Sequence, residues 1–180
     1  MSTASATFGS TGLTLDDLSA LTADELDALY RAGTLPTSFK ALNGTPKGRM
    51  LAIRGVDKTF LFNPISAFSK LSLFPWDGKS FNATSDTSGD GINRINLVKQ
   101  LNWFPFKTRI EPSVIDVKDC IYLDYEQPGN PFFIAKIRDE LREVAPGLFL
   151  GPAMWKTGNN SAELVLWFAI DTTRLTQQNR

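Results

Sequence analysis

The residues able to do chemistry in this chain are few and of restricted type. Glu111, Asp116, Asp119 and Asp124 supply carboxylates, while Lys79, Arg94, Lys107 and Arg109 supply cations and anion holders. The chain has no histidine, which removes the side chain that ordinarily titrates near neutral pH. Ser-His-Asp and Cys-His nucleophiles, histidine-ligated haem and mixed histidine sites for zinc or iron are excluded with it. Any proton transfer must therefore use Asp, Glu, Lys, Arg, Tyr or the single Cys120. In that case Asp124 is the candidate base, Tyr125 the candidate acid and Lys79 the orienting cation. Such a set suits a cofactor-independent cyclase, isomerase or lyase, in which a shaped cavity folds a substrate and one acid and one base move a proton. For an acid beside an arginine, structural ion pairing is the alternative, because polar groups buried in a barrel must be satisfied whatever the function.

The other reading of the same residues is a binding protein. Thirteen Phe and four Trp either line a cavity for one ligand or fill a solid core. Trp76, Trp103, Phe106, Tyr125 and Trp155 are the candidate lining residues, and Arg94 or Arg109 would orient a polar end. The expected partner is a hydrophobic or amphipathic small molecule. No cofactor and no metal is expected. Gly78-Lys79-Ser80 lacks the earlier glycine and the strand-loop-helix setting of a phosphate-binding loop, since Leu73 stands where the glycine is needed. Asp86 to Gly91 reads as a hairpin turn, because Leu97 occupies the position where a calcium loop closes with Glu.

These side chains need elements to hold them. Thr22-Ala-Asp-Glu25 forms a capping box, with Leu21 and Leu26 placed as a hydrophobic staple and Gly33 placed to end the helix. The first ordered element is expected there, lying across the outside or one mouth of something larger. After Gly44 the pattern changes to short segments divided by Gly, Pro, Asn and Asp, the mark of antiparallel β-structure. Strands are expected near Arg49–Arg54, Lys79–Thr84, Ile92–Lys99, Phe104–Glu111, Asp119–Tyr125, Leu148–Trp155 and Glu163–Asp171. Alternation puts Asp124 with Cys120 and Tyr122, and Ile121, Leu123 and Tyr125 on the opposite face. Asp77-Gly78 reads as a turn, with Trp76 covering a pocket mouth.

Between two strands, Asn130 as N-cap, Pro131 at the first helical position and Ile134, Ile137, Leu141 and Val144 favour a helix over 131–144. The rival is a strand through Phe132 to Ile137. If helical, Arg138-Asp-Glu-Leu-Arg-Glu143 is a solvated face or a lid whose arginines hold a ligand. The expected architecture is a mainly β, antiparallel barrel with an N-terminal helix and one further helix before the last strands. It forms one domain over 14–175, with mobile ends at 1–13 and 176–180.

Balanced charge, with 19 Lys+Arg against 19 Asp+Glu, removes the electrostatic footprint of a nucleic-acid binder. No stretch approaches the ~20 apolar residues of a membrane span, and the first residues lack the basic and apolar regions of a signal peptide, so no membrane insertion and a cytoplasmic location are expected.

Taken in order, Trp76-x-Gly78-Lys79-x-Phe81, Asn93-Arg94, Ser113-x-x-Asp116, Leu123-Asp124-Tyr125, Arg138-Asp139-Glu140-x-Arg142-Glu143-Val144-x-Pro146-Gly147-Leu148-x-Leu150-Gly151 and Trp155 resemble blocks of a group of uncharacterised bacterial proteins. More distantly the chain is similar to lipocalin-like (calycin) barrels and to proteins of unknown function with a GXWXG signature. The blocks cover residues 76 to 155. The resemblance implies an antiparallel barrel with an internal cavity for a hydrophobic ligand, and it carries no catalytic assignment. Gly44-Thr-Pro-Lys-Gly48 departs from the signature, with Pro46 where Trp would stand. Haem binding through an axial histidine, found among related barrels, is contradicted by the composition.

Overall fold

The computed structural model describes residues 12–53, 76–96, 100–158 and 160–175. Most of the expected mobile N-terminal segment, all of 176–180, the end of the first expected strand and the end of the third lie outside them. Two short helices, α1 (Leu15–Ser19) and α2 (Ala23–Ala32), and a 3-10 turn (Phe39–Leu42) lead into eight strands. These are β1 (Pro46–Ile53), β2 (Trp76–Ala83), β3 (Ser88–Asn96), β4 (Gln100–Pro112), β5 (Asp119–Asp124), β6 (Ile137–Ala145), β7 (Leu148–Gly158) and β8 (Ser161–Leu175), with a four-residue helix α3 (Phe132–Ala135) before β6. Each strand pairs antiparallel with the next, and β8 returns to β1, so the described strands close as a barrel, the arrangement that abolishes sheet edges.

Side-chain alternation splits the hydrophobic residues into two layers. Phe149 and Ala153 of β7 and Leu166, Phe168 and Ile170 of β8 join the barrel interior. Their neighbours Leu148, Leu150, Trp167 and Ala169 face outward and are covered by Leu15, Leu18, Leu26 and Tyr30 of the two helices. The α2 capping box forms as the sequence predicts, with Thr22 and Glu25 exchanging bonds. The first element of the described residues, however, is α1. It carries a capping box of the same kind from Thr14 and Asp17, a Thr-x-x-Asp signal that the sequence reading passed over.

The stretch 131–144 is mainly a strand. Its helix is confined to Phe132–Ala135, with Pro131 at the N-cap position and no side-chain cap. Asn130 instead donates through Nδ2 to the carbonyls of Pro105 and Tyr125, both at 2.8 Å. The apolar residues at 137 and 141 fit a helical stripe and a strand face equally well. The strand prevails because β6 bridges β5 and β7 and closes the barrel. Arg138, Asp139, Glu140 and Arg142 are accordingly all buried, and there is neither a lid helix nor a solvated face. On the outer side Glu140 accepts from Tyr30, Ser113, Arg138 and the backbone N–H of Val114. Arg142 makes a bidentate pair with Asp116 at 2.7 and 2.8 Å. These bonds clamp α2 and the β4–β5 connection to β6.

Asp77-Gly78 is a bulge inside β2 and no turn, since the register skips one residue between Trp76 and Gly78. Residues three apart in a regular strand face opposite sides. The extra residue reverses that parity, so Trp76, Lys79 and Phe81 all belong to the interior. Gly78 has φ of +128°, and a Cβ there would meet the Pro46 carbonyl at 2.7 Å and the Arg94 guanidinium at 2.8 Å. Gly78→Ala is therefore expected to cost about 1–3 kcal/mol, read from the denaturant midpoint. An unchanged midpoint would show that the bulge is not strained against a side chain.

Candidate functional site

The barrel interior contains a cavity of about 70 Å³, lined by Met50, Trp76, Ile95, Phe104, Ile134, Ile137, Ala153, Leu166 and Phe168, with Lys79, Asn93, Tyr125 and Asp139 as its polar members. Seven of the eight strands contribute, so the cavity is a property of barrel closure. Its walls are apolar and its polar groups form a single cluster. Lys79 Nζ donates to Asn93 Oδ1 at 2.8 Å, Tyr125 Oη at 2.6 Å and Asp139 Oδ2 at 2.9 Å. Tyr125 donates in turn to Asp139 Oδ2 at 2.8 Å. Asn93 is fixed at both ends: Oδ1 also accepts from the Trp76 indole at 3.3 Å, and Nδ2 reaches the Phe104 carbonyl at 3.3 Å and Tyr125 Oη at 3.2 Å.

Several local devices position this cluster. The β2 bulge turns Lys79 inward. A second register shift, between Ile92 and Asn93, sets Phe104 as the extra residue of β4, with φ of +60°. That left-handed conformation is costly for an aromatic residue, and it belongs to the residue whose carbonyl holds Asn93. Asp139 arrives from β6, where Ile137, Asp139 and Leu141 share the inner face by simple alternation. Gly48 leaves the space that the Trp76 ring occupies, since a Cβ there would meet the ring at 2.6 Å.

The ammonium of Lys79 is ringed by aromatic faces. Trp76, Phe106, Tyr125 and Phe168 have centroids 5.1–5.5 Å from Nζ, a cage that favours positive charge. Both members of the Lys79–Asp139 pair are almost fully buried, at 4% and 5% side-chain exposure. Burial pulls the Lys79 ammonium below its ordinary value, opposed by the Asp139 carboxylate. Burial, and then the same carboxylate, push the Tyr125 phenol well above its ordinary value. Among the described residues Asp139 Oδ1 has no hydrogen-bond partner, although a buried carboxylate oxygen ordinarily finds one. It is a free acceptor in the cavity.

Of the residues singled out from sequence, Lys79, Tyr125 and Trp76 line the cavity, and Phe106 lies against it through the Lys79 cage. The others lie elsewhere. Asp124 faces outward, as the alternation of β5 predicts, and pairs with Arg109 at 2.8 Å. Burial alone would raise its carboxyl, but the Arg109 guanidinium and the backbone N–H of Glu126 outweigh that and hold it below the ordinary value. Asp124 therefore shares no site with Lys79 and Tyr125, and Arg109 is exposed on the same outer surface. Arg94 is fully buried but bonds the carbonyls of Pro46 and Asp77 and is not among the lining residues. Trp103 is 44% exposed, and Trp155 is half-buried outside the cavity. The sequence reading missed Asp139 and Asn93 as site residues. Reading 137–144 as a strand would have put Asp139 on the face of Ile137 and Leu141, where a lone buried acid calls for a buried cation.

No family model matches the chain, and no curated protein matches it. Among solved structures it is similar to a protein from Thermomonospora curvata, at 16% identity and a TM-score of 0.46, with 84% of this chain and 87% of that chain covered. A likeness of that extent carries no functional argument, which leaves the geometry of the site itself.

Removing one member of a buried ion pair strands the other charge. Lys79→Met is expected to destabilise the fold by about 3–5 kcal/mol, and Lys79→Met combined with Asp139→Asn to recover most of it. Denaturant unfolding of the two single variants and the double variant measures the coupling. Additive losses would contradict the pairing.

Proposed function

We propose that the chain binds a small hydrophobic or amphipathic molecule inside the barrel. The supporting observation is an apolar cavity whose polar end presents one unpaired buried acceptor, Asp139 Oδ1. The Lys79–Asp139 pair is neutral as a unit, so the occupant this suits is itself neutral, with an apolar body and one hydrogen-bond donor. A volume of about 70 Å³ is about half the ~150 Å³ of an apolar cavity that holds benzene, so a short branched chain fits it as it stands and a single ring enters as the walls yield. Burying it on these walls favours binding at ~25 cal/mol per Å² before association costs. The reading agrees with what the resemblance to calycin and GXWXG-signature barrels implies. A cytoplasmic setting belongs to the same proposal; among the described residues no helix is long and apolar enough to cross a membrane.

A second reading, a cofactor-independent cyclase, isomerase or lyase, is favoured by one observation. Burial moves Lys79 and Tyr125 in opposite directions around a shared carboxylate, the arrangement that separates an acid from a base. In that reading Asp139 takes the role of base first assigned to Asp124.

Benzyl alcohol is a suitable neutral probe, and its saturable binding is expected to change intrinsic tryptophan fluorescence through Trp76. Ala153→Leu places three more carbons in the cavity and is expected to weaken binding about tenfold or more while costing about 1–3 kcal/mol of stability. Absence of saturable binding, or equal binding by folded Ala153→Leu, would contradict occupancy of the interior.

A further inference from the structure

We propose that Lys79 is a nucleophile that condenses reversibly with the aldehyde or ketone group of a small apolar molecule held in the barrel cavity, and that Asp139 holds the resulting iminium cation. The proposal rests on the binding reading above and names a carbonyl compound as occupant, whose donor to Asp139 arises on condensation as the carbinolamine O–H and then the iminium N–H. Four features of the geometry carry it. Lys79 is a lining residue of the cavity, while Lys107 and Lys118 are exposed on the surface. A phenol lies 2.6 Å from Nζ and 2.8 Å from the carboxylate that pairs with it, so a proton has a path between amine, Tyr125 and Asp139. Oδ1 of that carboxylate has a free lone pair to receive a proton. Four aromatic faces surround the nitrogen and stabilise positive charge there before and after condensation. Burial also favours the neutral amine, the form that attacks.

The steps balance without an oxidant or reductant. Lys79 gives one ammonium proton to Asp139, and its lone pair forms a C–N bond to the carbonyl carbon as the carbonyl π pair moves to oxygen. A nitrogen proton moves to that oxygen, giving a neutral carbinolamine. The proton held by Asp139 returns through Tyr125 to the hydroxyl, the C–O bond breaks and water leaves as C=N⁺ forms. The net change is ammonium plus carbonyl to iminium plus water, and the charge beside Asp139 is the same at the end as at the beginning. Asn93, bonded to both Nζ and Tyr125, is a positioning residue for this exchange.

The test is reductive trapping of the full chain with benzaldehyde and sodium cyanoborohydride, followed by peptide mapping, beside a benzyl alcohol titration of the same protein. The expected result is one benzyl group on Lys79 at aldehyde concentrations that leave Lys107 and Lys118 largely unmodified, with benzyl alcohol competing. Tyr125→Phe is expected to slow trapping about tenfold at saturating aldehyde. Lys79→Arg, which keeps the charge beside Asp139, is expected to abolish trapping in the cavity. The mapping of the unaltered protein decides the matter even if a variant fails to fold. Labelling confined to surface lysines in a protein that binds benzyl alcohol saturably would overturn the proposal and leave the binding reading standing. Failure to bind benzyl alcohol, with Lys79 unlabelled, would overturn both.

Discussion

A lysine ammonium inside a barrel is the constraint to which much of this structure answers. An isolated charge there would cost many kcal/mol of lost hydration, and it survives only with a counter-charge and hydrogen bonds in good geometry. Asp139 supplies the charge, and Asn93, Tyr125 and the aromatic cage supply the rest. The lysine on β2 meets polar partners from three other parts of the chain: Asn93 on β3, Tyr125 just after β5 and Asp139 on β6. Correct closure of the barrel and satisfaction of the lysine are thus one event, and a mispaired strand would leave a charge without its partner.

The inner and outer faces of β6 divide the labour. Asp139 turns inward to the cavity, and Arg138, Glu140 and Arg142 turn outward to bind α2 and the β4–β5 connection. A charge-rich segment is thereby buried on both faces with its ionic groups paired, and the layer behind the site is held rigid. Against that support the strained backbone at Phe104 and the bulge at Gly78 are tolerable, because neighbouring strands over-determine them.

Much of the fold was legible in the sequence. Seven strands, the capping box at Thr22 and the placement of Asp124 on the face opposite Tyr125 follow from alternation, turn residues and cap chemistry. What failed was the segment after Pro131. Ile137 and Leu141 satisfy helical and strand periods alike, and surface charge is the ordinary meaning of Arg-Asp-Glu. Only the need for an eighth strand between β5 and β7 separates the two readings, and that need is tertiary. The candidate site was half legible for the same reason. Lys79, Tyr125 and Trp76 are legible as residue types, but Asp139 lies inside the segment of ambiguous period, and the sequence points instead to Asp124 beside Tyr125. The inward turn of Trp76 and Lys79 together was beyond alternation, since it depends on a bulge that only Gly78 hints at.

The most direct check on the central claim, that an open barrel interior ends in a neutral ion pair with one free acceptor, is a crystal structure of the chain grown with benzyl alcohol. The account predicts the ring among Met50, Phe168 and Leu166 and the hydroxyl about 2.7 Å from Asp139 Oδ1. An interior filled by its own side chains, or Lys79 and Asp139 turned away from each other, would contradict it.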